Sequence, residues 1–136
     1  MANPYHSTDL TVISSGSTVF DTIALLDRFS NHPVLAAHIC RSFLTHMPDN
    51  LLQLDQALQN QDAHGVIGQL HSIKGAAANV GGNALMSLAQ TLETQAKDGN
   101  LQVVQTQRTQ LTQAFEQLQS AIHIWLDQVE TETSNP

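Results

Sequence analysis

The sequence predicts an all-α protein: an up-and-down antiparallel four-helix bundle with a short leading N-terminal helix. Hydrophobic residues make up 41% of the chain but aromatic residues only 4%, and Leu, Ala and Gln recur where strands would favour Val, Ile and Tyr. Several segments repeat apolar residues every three to four positions. The connections between them are short, which favours antiparallel neighbours.

A single domain with one core suits a chain of 136 residues. Both ends are rich in Ser, Thr and Asn. We therefore expect a polar tail or linker over 1–18, the bundle over 19–130 and a polar C-terminal tail over 131–136. No segment approaches the roughly 18 uninterrupted apolar residues of a membrane span, so no membrane contact is expected.

The first two helices meet at the sequence SNHP. A short leading helix is predicted by apolar residues at helical spacing: Phe20, Ile23, Leu26 and Phe29. Asn31 or His32 can cap the next helix, with Pro33 in its first turn. Pro48 predicts a kink in this helix. Its apolar stripe runs to about Asn60: Ala36, Cys40, Phe43 or Leu44, Met47, Leu51, Leu54 and Leu58.

Three more helices complete the predicted bundle. Asp62 can cap the third helix, which is expected to end where Gly81 and Gly82 permit a turn. Asn83 can cap the fourth, and Gly99 is placed to end it. The final helix is expected to be the longest continuous element. Its apolar stripe comprises Leu101, Val104, Leu111, Phe115, Leu118, Ile122, Trp125 and Val129.

Composition and charge exclude several classes of function. Five basic against twelve acidic residues give a net charge of -7, which makes nucleic acid an unfavourable partner. Cys40 is the only cysteine, so no internal disulfide forms, and a cytoplasmic protein with a buried thiol is expected. No glycine-rich nucleotide loop is present. We therefore expect no ATP-dependent kinase activity and no cofactor bound by this chain.

The third predicted helix carries a histidine on its polar side. An ideal helix turns about 100° per residue, and this projection places a core stripe on one face: Val66, Leu70, Ile73, Ala77 and Val80. A second group lies roughly 120° to 200° from Val66 and contains His64, Gly68, His71, Gly75 and Ala78. Lys74 lies at the border of the core stripe. His71 is therefore expected to face solvent among small neighbours.

Gly68 and Gly75 flank His71 by about one turn each. A glycine within a helix costs up to about 1 kcal/mol relative to alanine, so both positions need a reason. Close helix packing is one explanation, although both glycines point away from the core stripe. The alternative is that a partner must approach the imidazole closely, with His64 and Ala78 bordering the contact.

A ring nitrogen of His71 offers a lone pair that can attack phosphorus. Lys74 lies three residues further on and can hydrogen-bond a phosphoryl group held there. A surface lysine that only forms a salt bridge is the alternative. These residue types predict a phosphoryl acceptor that needs no metal of its own.

Two other functions fit part of the pattern. A metal-binding bundle is suggested by seven histidines, but no two lie three or four residues apart, and His64 and His71 are roughly 10 Å apart along the axis. A non-catalytic helical adaptor explains every apolar stripe. It leaves Gly68, Gly75 and Lys74 unexplained.

The stretch HSIKGAAANVGGNALMSLAQTLE resembles the signature of histidine-containing phosphotransfer (HPt) domains. The resemblance implies that His71 is the phosphorylated histidine, that Lys74 assists the phosphoryl group and that Gly75 gives the partner access. It also implies a turn at Gly81. Glu93 occupies a position where the family has Glu or Gln, and we expect an auxiliary role, either orienting the imidazole or facing solvent.

The resemblance runs from about Phe20 to Val129, and the segment from His71 to Glu93 is diagnostic. It implies a four-helix bundle that accepts a phosphoryl group from a receiver-domain aspartate and passes it to a response-regulator aspartate. The receiver is expected to supply Mg²⁺. A free-standing protein and the C-terminal module of a hybrid sensor kinase both fit, with VFDTIALLDRF after a Ser-rich segment favouring the module. We expect a monomer.

Overall fold

The computed structural model describes residues 18–134, with side chains up to residue 132; all but the last residue of the tail predicted over 1–18 lies outside this range. Six helices and no strand occur within it: α1 (Thr22–Arg28), α2 (Pro33–Gln59), α3 (Ala63–Asn79), α4 (Asn83–Lys97), α5 (Leu101–Thr106) and α6 (Arg108–Ser134). No helix in this part of the chain combines the length and apolar character that crossing a bilayer requires.

The four long helices form the predicted bundle. Helix α3 packs against α2 and α4, and α6 closes the ring by packing against the same two helices. Each long helix contributes a leucine that is at most 1% exposed: Leu54, Leu70, Leu85 and Leu118. Burying one such side chain contributes roughly 1.5 to 3 kcal/mol. The amphipathic stripes therefore meet in one core, which leaves the polar side of α3 free.

Two glycines connect α3 to α4. The N–H of Gly82 donates to the carbonyl of Ala77 at 2.8 Å, which closes a Schellman motif around Gly81 with its φ of 79°. The carbonyl of Gly81 accepts from the N–H of Asp21 at 2.8 Å. A Cβ on Gly81 would lie 2.5 Å from the Asp21 carbonyl oxygen, and one on Gly82 would lie 2.5 Å from Leu118 Cδ2. The turn therefore requires both glycines and attaches the segment before α1 to this end of the bundle.

The helix caps agree with the sequence prediction at α3 and differ at α4. Asp62 caps α3 by accepting from the N–H of Gly65 at 3.0 Å. Gly82, not the predicted Asn83, is the N-cap of α4. Asn83 instead donates its side-chain amide to Thr18 Oγ1 at 2.8 Å. The prediction was wrong at Asn83 because a partner distant in sequence competes for its side chain.

The last predicted helix is interrupted. Gln107 separates α5 from α6, and the N–H of Gln110 bonds to its carbonyl at 3.0 Å in a three-residue spacing. Arg108 follows directly, and its guanidinium contacts Asp55 of α2 through Nε–Oδ1 at 2.6 Å and Nη2–Oδ2 at 3.1 Å. Helix α6 has 27 residues, as many as α2. The prediction of one longest continuous helix was therefore wrong.

Three smaller expectations also differ. Ile23 is 54% exposed, because α1 turns Leu25 and Leu26 inward instead. Thr18, placed in the N-terminal tail, is held by the N–H of Ala84, which donates to its carbonyl at 2.8 Å. Residues 131–134 of the predicted C-terminal tail are helical. Helix α2 runs from Pro33 to Gln59 with Pro48 inside it, and the kink expected at Pro48 stays a prediction.

Cys40 is fully buried on α2. Burial raises the pKa of its thiol to about 12, against an opposing effect of Arg41. A thiol protonated over the whole physiological range is a poor nucleophile and metal ligand. Cys40 is therefore an inert core residue, as predicted.

Candidate functional site

The polar face of α3 is open to solvent. The side chain of His71 is 69% exposed, and a Cβ built on Gly68 or Gly75 would meet nothing within 4 Å. Close packing of a second helix is therefore not the reason for the two glycines, because no helix in the described part of the chain lies against them. His64 is exposed and Ala78 half-buried along the same side of α3. The predicted arrangement of an exposed imidazole among small neighbours is present.

Glu93 of α4 lies beneath the imidazole. Its side chain is only 4% exposed, and its Oε2 accepts from His71 Nδ1 at 3.1 Å. Of the two arrangements that the sequence allows for Glu93, the structure has the carboxylate in contact with the ring and not in solvent.

Two lysines pair with the same carboxylate. Lys74 Nζ lies 2.7 Å from Oε1, and Lys97 Nζ lies 3.1 Å from Oε2. Lys74 makes the largest contribution to lowering the pKa of Glu93; burial opposes it, and Lys97 and His71 lower it further, to about 2. Glu93 is therefore ionised throughout the physiological range. Oε1 is buried and its contact with Lys74 Nζ is the shortest in the cluster.

The ionised carboxylate decides which ring nitrogen of His71 carries the proton. A carboxylate can only accept hydrogen bonds, so Nδ1 must be the donor. In the neutral ring, Nε2 then carries the lone pair. The same carboxylate also restrains the ring orientation, as second-layer carboxylates do for other functional histidines. The site therefore presents an unprotonated nitrogen on an exposed ring.

The structure does not bring every predicted residue into this cluster. His64 lies two turns before His71, roughly 10 Å along the helix axis, and Glu93 pairs with His71, Lys74 and Lys97 only, within the described range. No group of three or more His, Cys, Asp or Glu side chains in that range could hold a metal ion. Gly81 and Gly82 lie at the turn that ends α3, away from the ring.

Lys97 was missed by the sequence analysis. It follows Glu93 by four residues on α4, and a Glu four residues before a Lys is a recognised helix pair. That spacing was a usable signal. It points to the site only once Glu93 is known to contact His71, and that contact depends on the packing of α4 against α3.

Comparisons with known proteins show the family and the fold of the chain. The family model for the Hpt domain matches residues 38–121, which is more than half of the chain. The crystal structure of the HPT domain from an Hpt sensor hybrid histidine kinase of Shewanella superposes with a TM-score of 0.70 at 19% sequence identity, covering 81% of this chain and 95% of that chain. That likeness shows a shared helical-bundle fold. No curated protein sequence matches. From the family match over residues 38–121, we conclude that the chain belongs to the Hpt domain family.

Proposed function

We propose that this domain is the histidine phosphotransfer element of a two-component phosphorelay. His71 accepts a phosphoryl group from the aspartyl phosphate of one receiver domain and passes it to the aspartate of a response regulator. The observation that carries this proposal is the hydrogen bond from His71 Nδ1 to the buried carboxylate of Glu93. It supports Nε2 as the nucleophile on a ring that partners can reach.

The proposed step needs no proton transfer from the ring. The Nε2 lone pair attacks phosphorus in line with the P–O bond to the receiver aspartate. The N–P bond forms as that P–O bond breaks, and the aspartate leaves as a carboxylate. Nδ1 keeps its proton, and the ring gains positive charge as it shares its electron pair. A charged donor makes a stronger hydrogen bond to a carboxylate, so Glu93 favours the phosphorylated state more than the free one.

Mg²⁺, held by the receiver, supplies charge neutralisation of the transferring oxygens in this scheme. Lys74 adds a cation from this chain, and the rest is positioning. The phosphoryl group comes from a partner and not from ATP bound here. We place the exchange in the cytoplasm, because the inert Cys40 fits a reducing compartment, and we propose that the domain acts as a monomer.

The test is transfer from a purified, phosphorylated receiver domain in the presence of Mg²⁺. We expect acid-labile, base-stable label on this chain, located at His71 by peptide mapping, and its return to an unphosphorylated receiver. Label at another of the seven histidines would contradict the assignment of His71. Absence of label across a panel of receivers would favour the adaptor function instead.

Two substitutions of Gly75 test stability and transfer separately: one should raise the melting temperature and the other should slow transfer from a receiver. Gly75→Ala places a methyl group in open space, and alanine favours the helix by up to about 1 kcal/mol, so the melting temperature should rise by about 3 °C. Gly75→Leu should fold equally well but hold the receiver away. Receiver transfer should then fall on the order of 100-fold, as misplacement by about 1 Å can cause.

Chemical labelling by phosphoramidate is the control for Gly75→Leu, because this donor is small enough to reach the imidazole beside a leucine. It should label the variant at a rate similar to wild type. Receiver transfer that is unchanged in Gly75→Leu would show that the partner does not approach over this part of α3. A melting temperature that falls in Gly75→Ala would show that the glycine has a structural role.

A further inference from the structure

Glu93 pairs with two lysines, one more than is needed to neutralise its charge beneath the imidazole. Its Oε2 is shared between the His71 ring and Lys97 Nζ, each at 3.1 Å, and its Oε1 is in contact with Lys74 Nζ at 2.7 Å. Lys74 and Lys97 are the two lysines of the chain. Both therefore pair with one buried carboxylate, although one lysine would neutralise its charge.

Lys74 cannot serve Glu93 and a phosphoryl group on Nε2 equally. Nδ1 and Nε2 lie on different sides of the ring, and Glu93 occupies the Nδ1 side. Lys74 must therefore turn away from Oε1 to hydrogen-bond the phosphoryl oxygens. Its Nζ lies 2.7 Å from Oε1, so this contact is weakened or lost when Lys74 turns. If Lys74 were its only counterion, a carboxylate that is 4% exposed would be strongly destabilised when Lys74 moved.

Lys97 removes this conflict. It approaches the other oxygen, Oε2, from α4 itself, so its contact does not require Lys74 to remain on Oε1. We propose that Lys97 is a positioning residue for phosphoryl transfer, keeping the Glu93 carboxylate paired and on the ring while Lys74 moves to the phosphoryl group. The inference rests on the proposed function and assigns Lys97 a role in it.

The net charge of the cluster supports the same roles, with Lys97 on the Glu93 carboxylate and Lys74 on the phosphoryl group. With a neutral ring, one carboxylate and two ammonium groups leave one net positive charge. A dianionic phosphoryl group on a cationic ring adds one net negative charge and brings the cluster to neutrality. Without Lys97 the phosphorylated cluster would carry a net negative charge beside a buried carboxylate. The positive charge of the second lysine therefore balances the net negative charge that phosphorylation of His71 adds.

A surface pair between residues four apart on a helix contributes little by itself, so the experiment must separate a positioning role of Lys97 from that of a solvated ion-pair partner. The chains are labelled with phosphoramidate, which needs no receiver, and the initial rate of acid-labile labelling at His71 is measured. Lys97→Gln should slow labelling about three- to tenfold, the effect of one charge at this distance near a protein surface. Lys97→Arg should restore most of the rate.

A charge-matched control and a double-mutant cycle complete the test. Arg41 pairs with Glu130 between α2 and α6, so Arg41→Gln removes one positive charge from a different part of the surface and should leave the rate unchanged. Lys74→Gln should slow labelling in the wild-type background but add little in the Lys97→Gln background, because Lys74 is then held by Glu93. This coupling is one that a merely structural lysine would not produce.

Three results would overturn the inference: a wild-type rate in Lys97→Gln, an equal loss in Arg41→Gln, or independent effects of the two lysines. If these occur while receiver transfer is normal, the proposed function stands without the role of Lys97. If the expected pattern appears but no receiver transfers a phosphoryl group, the proposed partner is wrong and the charge arrangement stands. A wild-type chain that phosphoramidate does not label at His71 would overturn both.

Discussion

His71→Gln is expected to lose all acid-labile phosphoryl label while the fold is kept. The glutamine amide can still donate to Glu93 Oε2, the bond that His71 Nδ1 makes at 3.1 Å, but it has no ring nitrogen with a lone pair for phosphorus. The side chain is 69% exposed, so little packing is lost. We expect labelling from receiver or phosphoramidate to fall below detection and the unfolding free energy to change by less than about 1 kcal/mol.

His64→Gln is the matched control, since it makes the same substitution two turns earlier on the exposed side of α3. With phosphoramidate as the donor, label at its wild-type level is expected there. Residual acid-labile label in His71→Gln would show that a second histidine accepts the group. A large loss of label in His64→Gln would show that the acceptor site extends further towards the start of α3 than the ion-pair cluster does.

Glu93→Gln is expected to remove part of the acid dependence of stability. The pKa of Glu93 in the folded chain is about 2, lowered first by Lys74, against an ordinary value of about 4.3. A carboxyl whose folded pKa is depressed stabilises the fold above its unfolded pKa, and this stabilisation is lost as pH falls through the folded value. The relevant window therefore extends from about pH 4.5 down to about pH 2.

The expected size is about 2 to 3 kcal/mol at neutral pH, reduced by the screening of Lys97, which is 59% exposed. Unfolding free energies of wild type and Glu93→Gln should differ by this amount at pH 7 and converge near pH 2. Glu116→Gln neutralises an exposed carboxylate of α6 and should show a much smaller difference. Parallel curves for wild type and Glu93→Gln across the whole range would contradict the ion-pair interpretation of this cluster.

Local pattern was sufficient to predict the bundle because amphipathic periodicity and glycine turns act over one or two helical turns. The stripe on α3 and the cap at Asp62 follow from neighbours in sequence, and both are present. The errors occurred where a distant partner decides the outcome. Asn83 turns to Thr18 and not to its own helix, and the break at Gln107 adjoins the contact of Arg108 with Asp55.

The site residues likewise fall into two groups, those predictable from spacing on α3 and those that depend on how α4 packs against it. His71, Lys74 and the two flanking glycines lie within about two turns of one helix, and the exposure of His71 and the glycines, with Lys74 at the border of the core stripe, could be predicted from spacing alone. The position of Glu93 under the ring depends on how α4 packs against α3, which no single-helix projection contains. The involvement of Lys97 depends in turn on Glu93. The deeper part of the site was therefore the part that only tertiary structure could supply.

The attachment of Thr18 to the start of α4, through Ala84 and Asn83, has a consequence for partners joined in the same polypeptide. A receiver linked through residues preceding Thr18 would be tethered near the end of α3, about 12 Å along that helix from His71. Short flexible linkers give effective concentrations in the millimolar range. A weak intramolecular encounter would then be sufficient for exchange. Freely diffusing receivers would have to compete with a receiver that is covalently tethered near His71.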